Sequence, residues 1–107
     1  MDFNEYQALA KTTAKPTAMN LTYLLGGLAV EASEGLDKYC KAIRDNDGEL
    51  SEDLVRLILK EAGDCLWFVA LIAEYFNVDM NELAEANLAK LLDRKERGVI
   101  GGSGDER

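Results

Sequence analysis

The stretch LLGGLAVEASEGLDKYCKAIRDNDGELSEDLVRLILKEAGDCLWFVALIAEYF, residues 24–76, decides the fold. Its periodicity gives two helical runs, 24–44 and 54–76. Between them Asp45-Asn46-Asp47-Gly48-Glu49-Leu50-Ser51 is polar and contains glycine, and it reads as a turn. Each run carries a carboxylate pair at helical spacing, Glu31 with Glu34 and Glu61 with Asp64, so each pair projects from one helix face. Counted outward from Asp47-Gly48, Glu34 and Glu61 are equidistant, and so are Glu31 and Asp64. A helix rises about 1.5 Å per residue, so equal counts in an antiparallel hairpin mean equal heights. The spacing predicts four carboxylates converging at one level, where like charges need a cation.

The 107 residues suffice for one domain with a moderate core. Nearly half the residues are apolar and there is a single proline, so the chain should fold and be globular. The net charge is −8, from 20 acidic and 12 basic residues, which argues against a nucleic-acid partner. Cys40 and Cys65 lie in apolar helical segments and read as buried, reduced thiols. Their spacing fits no zinc pattern, and the chain has no histidine. The start, Met1-Asp2-Phe3-Asn4-Glu5, is acidic and unlike a signal peptide, and no apolar run is long enough to span a membrane. A cytoplasmic location, with no membrane partner, is expected.

Outward from the hairpin, Asp2 with Glu5 forms a capping pattern for a first helix running to about Ala14. Lys15-Pro16 interrupts it, and Thr17 or Asn20 could cap the second helix. That helix is expected to bury Leu21, Leu25, Leu28, Ala32, Leu36, Tyr39 and Ile43, with Glu31 and Glu34 on the shoulder of the stripe. Gly27 and Gly35 share the shoulder, where small residues admit either a ligand or a crossing helix. Ser51 is a candidate cap for the third helix, with Glu52 and Asp53 in its first turn. On that helix Leu54, Leu57, Cys65, Phe68 and Ile72 project with Glu61 and Asp64, while Arg56, Lys60 and Glu74 mark the solvated side. The run CLWFVALIA, 65–73, is apolar all round, and a second copy of the chain is expected to cover it. Asp79 with Glu82 caps a fourth helix ending near Arg97. Asn87, Lys90 and Arg94 form one stripe along it, and the Gly-rich tail 98–107 reads as a flexible end. The expected fold class is all-α, four-helix bundle-like and oligomeric.

Carboxylates three apart are common in an acidic chain. Asp2/Glu5, Glu49/Glu52, Asp79/Glu82, Glu82/Glu85 and Asp93/Glu96 share the spacing and read as caps or solvated faces. Glu31/Glu34 and Glu61/Asp64 differ by adjoining apolar stripes at matching heights. Partly buried anions must be protonated, paired or bound to metal. An oxygen-only set suits Mg²⁺, which keeps water and substrate phosphate as further ligands. A carboxylate-bridged di-iron bundle would usually bring Glu-x-x-His motifs, which this chain lacks. A Mg²⁺-bound phosphate compound is therefore the natural substrate class. Asn87, Lys90 and Arg94 could supply hydrogen bonds and positive charge to it.

GLAVEASEG at 27–35, KEAGDCLWFVA at 60–70 and NLAKLLDRKERGVIGGSGDER at 87–107 resemble the MazG-like branch of the all-α nucleoside triphosphate pyrophosphohydrolases. NEYQALAKTTA, 4–14, is similar to the opening of phage and bacterial MazG-like proteins, so the likeness covers nearly the whole chain. The resemblance implies a helical bundle that forms a homo-oligomer, dimer or tetramer. It also implies Mg²⁺-dependent hydrolysis of an NTP or dNTP to the monophosphate and pyrophosphate, with Mn²⁺ as a possible substitute. By motif, Glu31, Glu34, Glu61 and Asp64 would hold the metal, and Asn87 and Lys90 would contact the nucleotide. Arg94 and the tail with Arg107 are further candidates for phosphate contact or closure. Many relatives read E-E-x-x-E, whereas Val30 stands here before the first ligand. The resemblance then leaves metal-activated water to attack the α-phosphorus, with Glu34 orienting it. The catalytic candidates are thus Glu34 and Glu61. Phosphoribosyl-ATP pyrophosphohydrolase, on the same scaffold, and a non-catalytic acidic helical interaction protein are the alternatives.

Overall fold

The computed structural model describes residues 1–107 and contains four α-helices and no strand. They are α1 (Phe3–Lys11), α2 (Leu21–Asn46), α3 (Glu52–Tyr75) and α4 (Met80–Arg97), with a 3₁₀ turn at Pro16–Ala18. Each α-helix begins at a side-chain cap: Asp2, Asn20, Ser51 and Asp79 accept from the backbone N–H three residues on. Asn20, not Thr17, caps α2. Helix α1 ends at Lys11, short of Ala14, because the Thr12 and Thr13 hydroxyls bond back to the carbonyls of Leu9 and Ala10 and the chain turns there.

Helices α2 and α3 form the antiparallel hairpin, closed by Asp47 and Gly48, both in the left-handed region. The register follows the sequence count. Gly27 faces Phe68 so closely that a Cβ there would lie 2.2 Å from the ring, and a Cβ on Gly35 would lie 3.6 Å from Cβ of Glu61. Gly27 thus serves the helix crossing, whereas a methyl group at Gly35 would sit at ordinary contact distance. Leu24, Phe68 and Leu71 are buried at this junction, with Leu28 and Ile72 against them.

Helix α1 lies across the far end of α3, where Ala10 meets Ala70, Ala73 and Met80. The amide of Gln7, almost fully buried, ties three segments together. It donates to the Val78 carbonyl (2.9 Å) and Glu74 Oε2 (3.3 Å) and accepts from the Met80 N–H (2.7 Å). Glu74 also pairs with Lys11, so it is held by α1 and does not belong to a free solvated face. Within the apolar run 65–73, Phe68, Ala70, Leu71 and Ala73 are buried by α1 and α2 of the same chain, so no second copy is needed for these.

Helix α4 packs on α1 and α3, leaving the face of α2 turned away from α3 uncovered. The expected burial of the α2 stripe is therefore corrected: Leu25, Leu36, Tyr39 and Ile43 are 40–63% exposed, and the buried α2 residues are Leu24 and Ala42. Cys40 is exposed as well, and Cys65 is half-buried; both are free thiols. The radius of gyration is 16.7 Å, against about 13 Å for a compact domain of this length. No helix is long and apolar enough to cross a membrane.

After the left-handed cap at Gly98 the tail is non-helical and turns back on α4. Asp105 pairs with Lys90 (2.8 Å) and Arg94 (3.1 Å), and Arg94 also donates to the Asp105 carbonyl. The Arg107 guanidinium donates to the carbonyls of Val99, Ile100, Gly101 and Gly104.

The tight fit of Phe68 on Gly27 yields a prediction. Gly27→Ala should destabilise the chain by about 1–3 kcal/mol, the usual cost of overpacking. A fall in the denaturant midpoint at unchanged m-value would report it.

Candidate metal and phosphate site

Equal heights on the hairpin bring Glu31 and Glu34 of α2 against Glu61 of α3. Each offers one carboxylate oxygen, and these three oxygens lie within 4.8 Å of one another. Glu31 and Glu61 are half-buried and Glu34 is exposed. Asp64, the fourth candidate, stands outside this set, one turn farther along α3. It borders with Glu31 a cavity of about 400 Å³. Its charge still reaches the cluster, helping to hold the Glu31 proton.

Three anions this close cannot all stay ionised without compensation. Two groups provide it. Lys38, one turn beyond Glu34, places Nζ 2.9 Å from Glu61 Oε1 and holds the Glu61 carboxyl below the usual range. Glu31 keeps a proton instead: its hydrogen bond to Glu61, then burial and the charges of Glu34, Asp64 and Glu61, push its pKa up to about 7. The second oxygen of Glu61, Oε2, is buried and has no donor other than a proton carried by a neighbouring carboxyl. Such an oxygen, in an all-oxygen set, fits a hard divalent cation.

The cavity beside Asp64 is walled by Tyr6, Tyr23, Trp67 and Phe68 and opens over Gly63. Trp67 is fixed on two sides, its indole N–H donating to Thr13 Oγ1 (2.8 Å) and its ring standing edge-on to Phe68 at 4.9 Å. Tyr6 stays a phenol, since burial and then the charge of Asp64 raise its pKa. Trp67 and Tyr23 also border a second cavity of about 400 Å³ with Thr13, Lys15 and Thr17. The sequence reading missed these aromatics as a group, because Tyr6 and Tyr23 come from segments distant in the chain. It missed Lys38 too, although its position four after Glu34 puts both on one face.

Asn87, Lys90 and Arg94 do not join this site within one chain. The cavities around the carboxylates are lined from α1, α2 and α3, with no residue of α4. Asn87 is exposed, while Lys90 and Arg94 are engaged by Asp105. Arg94 is nearly buried, and its Nε has no partner.

The chain is 41% identical over 87 residues to the Gene 37 protein of Mycobacterium phage L5, a match spanning 81% of this chain and 76% of that protein. No protein-family model matches the chain. No solved structure matches it significantly.

The raised Glu31 pKa has a definite sign in stability. The folded chain binds more protons than the unfolded chain between the ordinary value of 4.5 and about 7, so stability falls as pH rises through that window. In metal-free buffer the melting temperature should drop from pH 5 to pH 8, and Glu31→Gln should remove that part of the drop. Parallel melting curves for the two proteins would test this.

Proposed function

We propose that this chain, which belongs to the same family as the Gene 37 protein of Mycobacterium phage L5, is a Mg²⁺-dependent nucleoside triphosphate pyrophosphohydrolase. It would cleave an NTP or dNTP to the monophosphate and pyrophosphate. The observation that carries the reading is the Glu31, Glu34 and Glu61 cluster, with a buried unpartnered oxygen, beside a cavity of aromatic walls. The name of the phage relative describes no activity, so the reading rests on the geometry and on the motif resemblance.

Glu31, Glu34 and Glu61, with Asp64 a turn away, would hold Mg²⁺, which when bound neutralises phosphate charge and acidifies water. The chain's own groups divide the remaining work. Trp67, anchored by Thr13, and Tyr23 offer aromatic faces to a base, and stacking of this kind is sequence-tolerant because every base has a π-face. The Tyr6 hydroxyl, held protonated, can donate at the edge of the same cavity. Glu34, the exposed member of the cluster, would orient a water toward the α-phosphorus. Glu61, with its proton-free carboxyl, fixes the position of the cluster against α2.

The reading also calls for a homo-oligomer. The uncovered Leu36, Tyr39 and Ile43 of α2 and Leu88, Leu91 and Leu92 of α4 form apolar surface that another copy would cover. In that assembly Asn87, Lys90 and Arg94 of one copy would reach the phosphates held by another, since within a chain α4 lies apart from the carboxylates.

The test is a panel of NTPs and dNTPs assayed for pyrophosphate release with Mg²⁺ and with chelator. Turnover should require the metal, and Glu61→Gln should reduce it about 10²-fold or more, the scale of losing one preorganised electrostatic group. Trp67→Ala should raise KM about tenfold or more through lost stacking. Absence of pyrophosphate release from every nucleotide would overturn the proposal in favour of a non-catalytic acidic helical protein.

A further inference from the structure

Resting on the hydrolase reading, we propose that Lys38 is an exchangeable cation, neutralising Glu61 in the metal-free site and transferring to the β and γ phosphates of the substrate once a divalent ion takes its place. Lys38 is the one lysine or arginine that ion-pairs with the carboxylate cluster. Its side chain is 28% exposed and that of Glu61 is 13% exposed, so the pair lies at the lip of the site, with the ammonium on the solvent side. A lysine carries a compact charge on a flexible stem, which lets it change partners by rotating its side chain without moving the backbone.

The order of groups along the hairpin gives this cation its destination. From the far end toward the turn come the aromatic cavity at Trp67 and Phe68, then Asp64 and Glu31, then Glu61 and Glu34, then Lys38. On the mirror count Lys38 stands level with Leu57, so Trp67 and Lys38 are separated by about 15 Å along the helix axes. A nucleoside triphosphate has the same order: base, sugar, α-phosphate, then the two phosphates that leave. With the base in the aromatic cavity and the α-phosphate at the carboxylates, the leaving pyrophosphate falls beside Lys38. There the ammonium meets the charge that grows on the departing group, which is where a cation accelerates the reaction. Hydrolysis balances as water adding its oxygen to the α-phosphorus while the bond from that phosphorus to the bridging oxygen breaks. The electron pair leaves on pyrophosphate, the attacking water gives up a proton to that group or to solvent, and Lys38 supplies a hydrogen bond and charge while keeping its own protons.

The experiment compares the full-length chain with Lys38→Met and Lys38→Arg, with helical content checked by circular dichroism. Mn²⁺ affinity in the absence of nucleotide and affinity for inorganic pyrophosphate in saturating Mg²⁺ are both read by calorimetry. Lys38→Met should bind Mn²⁺ about three- to fivefold more tightly, because a partly exposed competing ion pair is gone. It should bind pyrophosphate about tenfold more weakly, since a charge-assisted hydrogen bond is lost. Lys38→Arg should move both values back toward those of the parent. Unchanged or weaker Mn²⁺ binding in Lys38→Met, or unchanged pyrophosphate binding, overturns the proposal, as does a parent chain that binds no Mn²⁺. Should Lys38→Met fail to fold, the Lys38→Arg values decide: a large loss of pyrophosphate affinity there refutes a role carried by charge. Neither titration needs turnover, so a chain that binds both ligands but cleaves no nucleotide sinks the hydrolase reading alone.

Discussion

Everything in this fold depends on the close approach of α2 and α3. Gly27 on α2 lets the helices meet by receiving the Phe68 ring, and Gly35 lies against Glu61 at ordinary contact distance. That contact fixes the register, and the register sets the carboxylates at one height. The energetic cost is electrostatic, since it brings like charges together in a half-dry groove. The fold tolerates this through a lysine, a retained proton and the apolar seal of Leu24, Phe68 and Leu71. Burial of that seal favours the close approach that the repulsion opposes.

The same construction explains why the carboxylates sit next to aromatic walls. A helix that buries Phe68 and Leu71 on one side must carry Trp67 a little way round, and Asp64 one turn earlier. Charge and aromatic surface are thus consecutive turns of a single rigid rod. Helix α1 completes the pocket from outside with Tyr6, while Thr13 in the turn after it anchors the indole. Helix α4 contributes nothing to it within one chain, and its own cations are occupied by the tail.

Much of this was legible in the sequence because it depends on local chemistry. The caps at Asp2, Ser51 and Asp79 follow from side chains that satisfy free N–H groups, and counting from Asp47-Gly48 suffices to align Glu34 with Glu61. What was not legible depends on contacts between distant segments. The periodicity of Leu25, Leu36, Tyr39 and Ile43 identifies an apolar face without saying that this chain has nothing to lay on it. Glu74 reads as a solvent residue until Gln7 and Lys11 arrive from the other end of the chain. A glycine-rich tail reads as loose because composition is silent on one guanidinium gathering carbonyls from both sides of a turn. Lys38 was passed over for the opposite reason: a lysine four residues after a glutamate looks like an intrahelical pair, whereas its partner is on the neighbouring helix.

The Gln7 amide has a consequence for how the chain closes on itself. It closes a loop of roughly seventy residues onto Val78 and Met80, whereas α2 and α3 meet across a tight corner. Joining remote segments carries the larger entropic penalty, so docking α1 costs more chain entropy than closing the hairpin. The acidic groove is built by α2 and α3 alone, whereas the aromatic pocket takes Tyr6 from α1 and its indole anchor from Thr13 just after it. The carboxylate cluster and the aromatic walls therefore belong to two layers of the molecule, one closed by a short turn and the other by the two ends of the chain.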